Sequence, residues 1–274
     1  MQNLKEAPIG VFDSGVGGLT VVREIMRQIP QERIVYFGDT ARVPYGGKST
    51  NTLIRYTRQI IRFLKTRGVK AIVVACNTAS AVALEAVRDE LDIPIIGVVR
   101  PGAKVAVATT KNKKIGIIGT ETTVNSQMYV QLIQGMEPEA QVIGKACPLF
   151  VPLVEEGWTK DPVTEEVARR YLSELQKSDI DTLILGCTHY PLLRHMVGEI
   201  MGEKVNLVNP AYETAIELRA LLERLGIAND GENKNLENPY EFFVSDTADK
   251  FKTFANSILP CDVTSIKQIN IEEY

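Results

Sequence analysis

Ala71-Ile72-Val73-Val74-Ala75-Cys76-Asn77-Thr78-Ala79-Ser80 decides how the rest of the chain is read. Its short apolar run, Ile72 to Ala75, suits a central parallel strand covered on both faces better than a half-exposed one. The run ends in a thiol, Cys76, and the chain then turns polar. Ligands of open α/β sheets bind outside the carboxyl ends of the strands. Cys76 therefore stands on the ligand-binding edge, with Asn77, Thr78 and Ser80 offering side-chain donors and a helix cap beside it. Asp181 to Pro191, D-T-L-I-L-G-C-T-H-Y-P, has the same form: an apolar run, then Cys187, Thr188 and His189. Two thiols thus occupy equivalent positions in two similar units.

The chain ahead of each thiol is also alike. Ile9-Gly10-Val11-Phe12 runs into Asp13-Ser14, and Ile115-Gly116-Ile117-Ile118 runs into Gly119-Thr120. Cys76 follows Ile9 by 67 residues, and Cys187 follows Ile115 by 72. This is a weak internal repeat of about 100 residues, one α/β unit each. Pro101-Gly102 and the basic run Lys111-Asn112-Lys113-Lys114 mark the change of unit. Strand Glu241 to Ser245 and a helix through Phe251, Phe254 and Ile258 are too small to fold alone and are expected to return to the first unit. The expected architecture is α/β. Residues 1–99 plus 211–274 form a first, discontinuous domain and residues 100–210 a second. Both are doubly wound on mostly parallel sheets, related by a pseudo-two-fold, with the site in the cleft between them.

Other stretches refine this picture. Asp13-Ser14-Gly15-Val16-Gly17-Gly18 makes a strand-to-helix turn whose glycines either expose backbone N–H groups to a ligand or only shape the bend. Thr20 stands where a dinucleotide fingerprint needs its third glycine, which argues against a nicotinamide site. Asp13, at a strand end, points to function. Pro44-Tyr45-Gly46-Gly47 lies in a committed loop, where Tyr45 is either a binding residue or an anchor. Thr120, Thr122, Thr123 and Ser126 offer hydroxyls at the second turn, each also able to serve only as an N-cap. Helices are expected over Ala79 to Leu91 and Ala211 to Leu225, with one opened by Asp161-Pro162. Pro148 to Trp158 reads as irregular, its Glu155-Glu156 pair as solvated, and Asn229 to Pro239 as a linker.

Composition removes several classes of function. Lys and Arg total 31 against 34 Asp and Glu, for a net charge of −3, which gives no support to a nucleic-acid partner. No apolar run approaches the roughly 20 residues of a membrane span, and Met1 to Pro8 lacks a signal-peptide core. A cytoplasmic protein is expected. Its four cysteines, Cys76, Cys147, Cys187 and Cys261, have no Cys-x-x-Cys spacing and read as free thiols. With only His189 and His195 beside them, no structural metal site is expected.

Three chemistries remain open. Cys187 with His189 could form a hydrolase nucleophile and base, which leaves Cys76 without a task. The pair could close on a small anion without turnover. If instead the thiols face opposite sides of one stereocentre, one removes a proton and the other returns one, and groups of equal intrinsic acidity suit a reaction run in both directions. Cys147 and Cys261 have no comparable context and read as packing residues.

Asp13 to Thr20, Gly38-Asp39-Thr40 with Pro44-Tyr45-Gly46, Ala75-Cys76-Asn77-Thr78-Ala79, and Gly186-Cys187-Thr188-His189-Tyr190-Pro191 together resemble the glutamate racemase signatures of the aspartate/glutamate racemase superfamily, over about Ile9 to Tyr212. The resemblance implies a cofactor-independent isomerase, usually a homodimer, that interconverts L- and D-glutamate and supplies the D-form for peptidoglycan. It implies that Cys187 deprotonates L-glutamate and Cys76 D-glutamate, with Asp13 assisting near Cys76 and His189 near Cys187. Ser14, Tyr45, Gly46, Asn77, Thr78 and Thr188 would hold the substrate's carboxylates and ammonium. It further implies an assisting acid, placed at Glu155 rather than Glu156.

Overall fold

The computed structural model describes residues 4–231 and 239–274. Of the stretch read as a linker, residues 232–238 lie outside the described residues. Four strands open the chain: β1 (Ile9–Asp13), β2 (Ile34–Gly38), β3 (Ala71–Val74) and β4 (Ile95–Gly97). Four more follow, β5 (Lys114–Gly119), β6 (Gln141–Ala146), β7 (Thr182–Gly186) and β8 (Asn206–Val208), and then β9 (Tyr240–Val244) and β10 (Lys267–Gln268). They make two sheets, ordered β10-β9-β2-β1-β3-β4 and β6-β5-β7-β8, with every pairing parallel.

The order β2-β1-β3-β4 recurs in the second sheet as β6-β5-β7-β8. β3, which delivers Cys76, and β7, which delivers Cys187, thus hold the same place in their sheets. Both are buried along their whole length, as their apolar runs require of a strand covered on two faces. β9 adds to the outer edge of β2 and β10 to β9, so the last described strands complete the first sheet. The two helices at the seam divide between the cores. Val99, Ala103 and Ala106 of helix Val99–Thr109 pack with Ile117 and Ile184 of the second sheet. Ala211, Ala215 and Leu218 of helix Pro210–Arg224 pack with Val11 and Tyr36 of the first.

Three local expectations need correction. The helix expected over Ala79 to Leu91 begins at Asn77, directly after Cys76, and breaks at Ala83 into Asn77–Val82 and Leu84–Arg88. Ser80 and Leu84, on either side of the break, both press on Gly97, where a Cβ would lie 2.2 Å from Ser80 Oγ. Pro101 and Gly102 do not interrupt the chain but lie inside helix Val99–Thr109. The supposedly irregular segment contains helix Phe150–Glu155. In both helices the proline falls in the first turn, where a missing N–H leaves no hydrogen bond unmade. β6 and helix Met128–Met136 escaped the sequence reading, β6 because it is a half-exposed edge strand without a continuous apolar run. Among the described residues, no helix is long and apolar enough to cross a membrane.

Ahead of β3 an ion pair is sealed in the first unit. Lys70 Nζ lies 2.6 Å from Glu32 Oε2, both side chains being almost wholly buried, and donates to the carbonyls of Lys5 and Ile227. Glu32 also accepts from the backbone N–H of Asn229. Removing one member leaves an uncompensated buried charge, at a cost of about 3–5 kcal/mol. Lys70→Met and Glu32→Gln should therefore each lower stability in urea denaturation by about that amount. The double variant Lys70→Met/Glu32→Leu should recover much of the loss; additive losses would mean that the pair is not coupled.

Candidate active site

The carboxyl ends of β1, β3, β5 and β7 meet at one cavity of about 400 Å³ between the two sheets. Parallel pairing sets this up, because β1 lies beside β3 and β5 beside β7, so their following loops emerge together. Ser14, Tyr45, Gly46, Cys76, Asn77, Thr78, Glu155, Cys187, Thr188 and His189 all line it. Asp13 stands just behind, fully buried, accepting from the N–H of Gly15 at 3.1 Å. Thr120, one of the second-turn hydroxyls and absent from the residues that the resemblance assigns to the substrate, also lines the cavity. Its hydroxyl lies 3.0 Å from those of Thr78 and Thr123 and also caps helix Glu121–Asn125. The signal was its place in the repeat, opposite Ser14.

The two thiols have different neighbours. Burial raises the Cys76 thiol, with further upward push from the charge of Asp13, to about 12. Burial also raises Asp13, offset in part by the His189 charge and by hydrogen bonds from the N–H groups of Gly18, Gly15 and Ser14. On the other side, His189 Nδ1 is 3.8 Å from Cys187 Sγ and Nε2 is 2.9 Å from Glu155 Oε1. Burial alone would lower His189. Its hydrogen bonds to Cys187 and Glu155 and their charges outweigh that and push it up to about 10. It is therefore an imidazolium at neutral pH, donating from both nitrogens.

Glu155 and Glu156, alike in residue type and told apart in the sequence only by the resemblance, stand at the last residue and the C-cap of helix Phe150–Glu155. Glu155 reaches His189, whereas Glu156 faces outward 3.7 Å from Lys250. Tyr45 is buried and donates a hydrogen bond from its hydroxyl to Asp39, which also accepts from Arg42 Nε and Ser245 Oγ. That network anchors the loop whose Gly46 carbonyl accepts from Thr122 of the other unit at 2.7 Å. Cys147 is buried away from the cavity, and Cys261 is only partly buried near the outer edge of the first sheet.

The glycines of the first turn serve close approach. Gly17 and Gly18 both have negative-φ or unexceptional backbones, but a Cβ on Gly17 would lie 2.3 Å from Thr188 Oγ1 and 2.5 Å from the His189 ring. Thr20 Oγ1 lies 2.9 Å from the carbonyl oxygens of both Gly17 and Thr188. Thr188 Oγ1 in turn donates to Asp13 Oδ1 at 3.4 Å. The turn after β1 is thereby seated on the loop after β7.

The chain is similar in sequence and fold to known proteins. The Asp/Glu/Hydantoin racemase family profile matches residues 9–216. A glutamate racemase of Geobacter metallireducens is 49% identical over 264 residues, 96% of this chain and 97% of its own length. One from Neisseria meningitidis is 47% identical over 274 residues, 99% of this chain and all of its own. Among solved structures, the glutamate racemase isoform RacE1 of Bacillus anthracis superposes with a TM-score of 0.92 at 42% identity, covering 97% of this chain and 98% of its own. The Francisella tularensis glutamate racemase in complex with D-glutamate superposes at 0.90 with 37% identity, covering 98% of this chain and 100% of its own. By length matched, identity and fold, the chain belongs to the Asp/Glu/Hydantoin racemase family and is an isomerase.

Proposed function

We propose that this racemase interconverts L- and D-glutamate by two-base proton transfer between Cys187 and Cys76, without a cofactor. One observation carries the reading: two thiols at equivalent strand ends of equivalent sheets line one cavity. The Cys187 thiolate takes the Cα proton of L-glutamate. The electron pair left on Cα then takes the Cys76 proton from the opposite face, giving D-glutamate, a Cys187 thiol and a Cys76 thiolate. Proton exchange of the two thiols with solvent resets the enzyme for another L-glutamate, and the same steps run backward carry D-glutamate to L-glutamate. The high pKa of Cys76 supports its role as proton donor in the first direction.

None of the described residues lining the cavity is Lys or Arg. In this reading the substrate's carboxylates are held by hydroxyl and amide donors from Ser14, Asn77, Thr78 and Thr188 and by the backbone at Tyr45 and Gly46. These pre-aimed neutral donors hold the carboxylates in ground and transition state alike, and the cation at the cavity wall, His189, is engaged by Cys187 and Glu155. Asp13 serves the Cys76 side, and His189 with Glu155 serves the Cys187 side. Residues 1–99 with 211–274 form one domain of the proposed enzyme and 100–210 the other. The proposal extends to a homodimer working in the cytoplasm and supplying D-glutamate for peptidoglycan.

Incubation of wild type with L-glutamate in deuterated water should yield D-glutamate labelled at Cα, with aspartate as the competing substrate to assay. Cys76→Ser and Cys187→Ser should each lower kcat by about 10²–10⁴-fold, because a serine hydroxyl is too weak an acid to share the proton with its partner. Near-normal turnover by either variant would sink the two-base reading.

The asymmetry of the neighbours has its own readout. His189→Asn should lower kcat for L-glutamate more than for D-glutamate, and Asp13→Asn the reverse. The ratio of the two kcat/KM values is fixed by the overall equilibrium, so the difference must appear in kcat and in Cα-deuterium isotope effects. Equal losses in both directions would assign these groups to binding or thiol positioning rather than to direction-specific proton transfer.

His189 also links stability to pH. Its folded pKa of about 10 lies above the ordinary histidine value near 6.5, so its contribution is full below about 6.5 and is lost as pH rises through about 10. The stability gap between wild type and His189→Asn, measured by urea denaturation, should narrow steadily across that window. A constant gap would show that His189 is not held as a cation.

A further inference from the structure

Asn77 follows Cys76 directly and is 4% exposed at the cavity wall. Its side-chain oxygen accepts from the hydroxyl of Tyr129 at 2.8 Å. Tyr129 belongs to the second unit, on helix Met128–Met136, and is 2% exposed. Two glycines lie against it in ordinary contact. A Cβ on Gly102 would lie 3.4 Å from the phenol oxygen, and one on Gly186 3.4 Å from the ring carbon Cε2. Burial holds the phenol well above its ordinary pKa, so it keeps the proton it donates.

The amide has two ends, and this contact sets which one faces the cavity. With Oδ1 committed to the phenol, Asn77 Nδ2 has no hydrogen-bond acceptor among the described residues. Flipping the amide would set Nδ2 against the phenol and leave a buried O–H without its acceptor, a cost of about 1–3 kcal/mol. We infer that Tyr129 is a positioning residue that reaches across from the second unit and locks the Asn77 amide with its N–H₂ aimed at a substrate carboxylate. This rests on the glutamate-racemising reading of the cavity. The donor beside Cys76 is then oriented by the half of the molecule that carries Cys187, and the amide is correctly presented only when the two units are docked.

A double-mutant cycle on the full-length protein tests this, run on whichever of glutamate and aspartate the wild type racemises. Absence of turnover on glutamate counts against the substrate reading alone. Tyr129→Phe, which removes one oxygen and keeps the ring, should raise KM about five- to tenfold with kcat changed less than twofold, because the oriented donor binds ground and transition states alike. In an Asn77→Ala background the same substitution should change KM by less than twofold. A structural role for Tyr129 would instead give the same factor in both backgrounds and overturn the proposal. Asn77→Asp gives a second reading that leaves Tyr129 intact. Its carboxylate can accept from the phenol with one oxygen but turns the other toward the substrate carboxylate, so KM should rise well above that of Asn77→Ala. Equal KM values for the two variants would show that this edge of residue 77 does not face the substrate's negative charge.

Discussion

The seat of Gly17 on Thr188 and His189 sets the spacing on which the site depends. A single methyl there would enter the space of Thr188 Oγ1 and the imidazole, forcing the turn after β1 away from the loop after β7. Those two segments carry Asp13 and Cys187, so any widening would separate the groups that must act on one carbon. Thr20 and the Asp13 to Thr188 hydrogen bond hold the same seam. Two sheets are thus brought to bonding distance where their chemistry must meet, and their cores touch there too, with Ala81 packed into the core of the second and Phe254 against the cores of both.

Around that seam the symmetry of the fold and the asymmetry of its charges do different work. The repeated strand order puts like thiols in like places. The side chains next to them are unlike: a buried carboxylate on one side, and on the other an imidazolium backed by Glu155. Burial makes each of these neighbours more effective than it would be in water, since charges at a few ångströms interact more strongly in a medium of lower dielectric. The resting enzyme therefore has a polarity of its own even though its reaction connects mirror-image molecules.

The strands bearing the thiols were legible in the sequence because a strand covered on both faces must be apolar at every position, and that leaves a continuous run. β6 was not, because an edge strand such as Gln141–Ala146 needs no such run. Cys76, Cys187, Asn77 and Thr188 could be placed at the cavity because they follow a strand end within three residues. Glu155 could not be separated from Glu156 by residue chemistry. Which of them turns inward depends on the phase of helix Phe150–Glu155, and Pro152 had disguised that helix as a loop. Tyr129 left no trace at all, since its partner lies 52 residues away and only docking of the two units brings them together.

The return of β9 to the outer edge of β2 bears on the order in which this chain can be assembled. The strands of the second sheet, β5 to β8, are contiguous and can pair as soon as they leave the ribosome, whereas β2, paired on one side with β1, waits for its outer partner β9 some 200 residues downstream. During that interval the edge of Ile34–Gly38, apolar along its length, presents unpaired backbone groups of the kind that template association between chains. Vectorial synthesis therefore exposes the first sheet to misassembly for longer than the second, although both share one design.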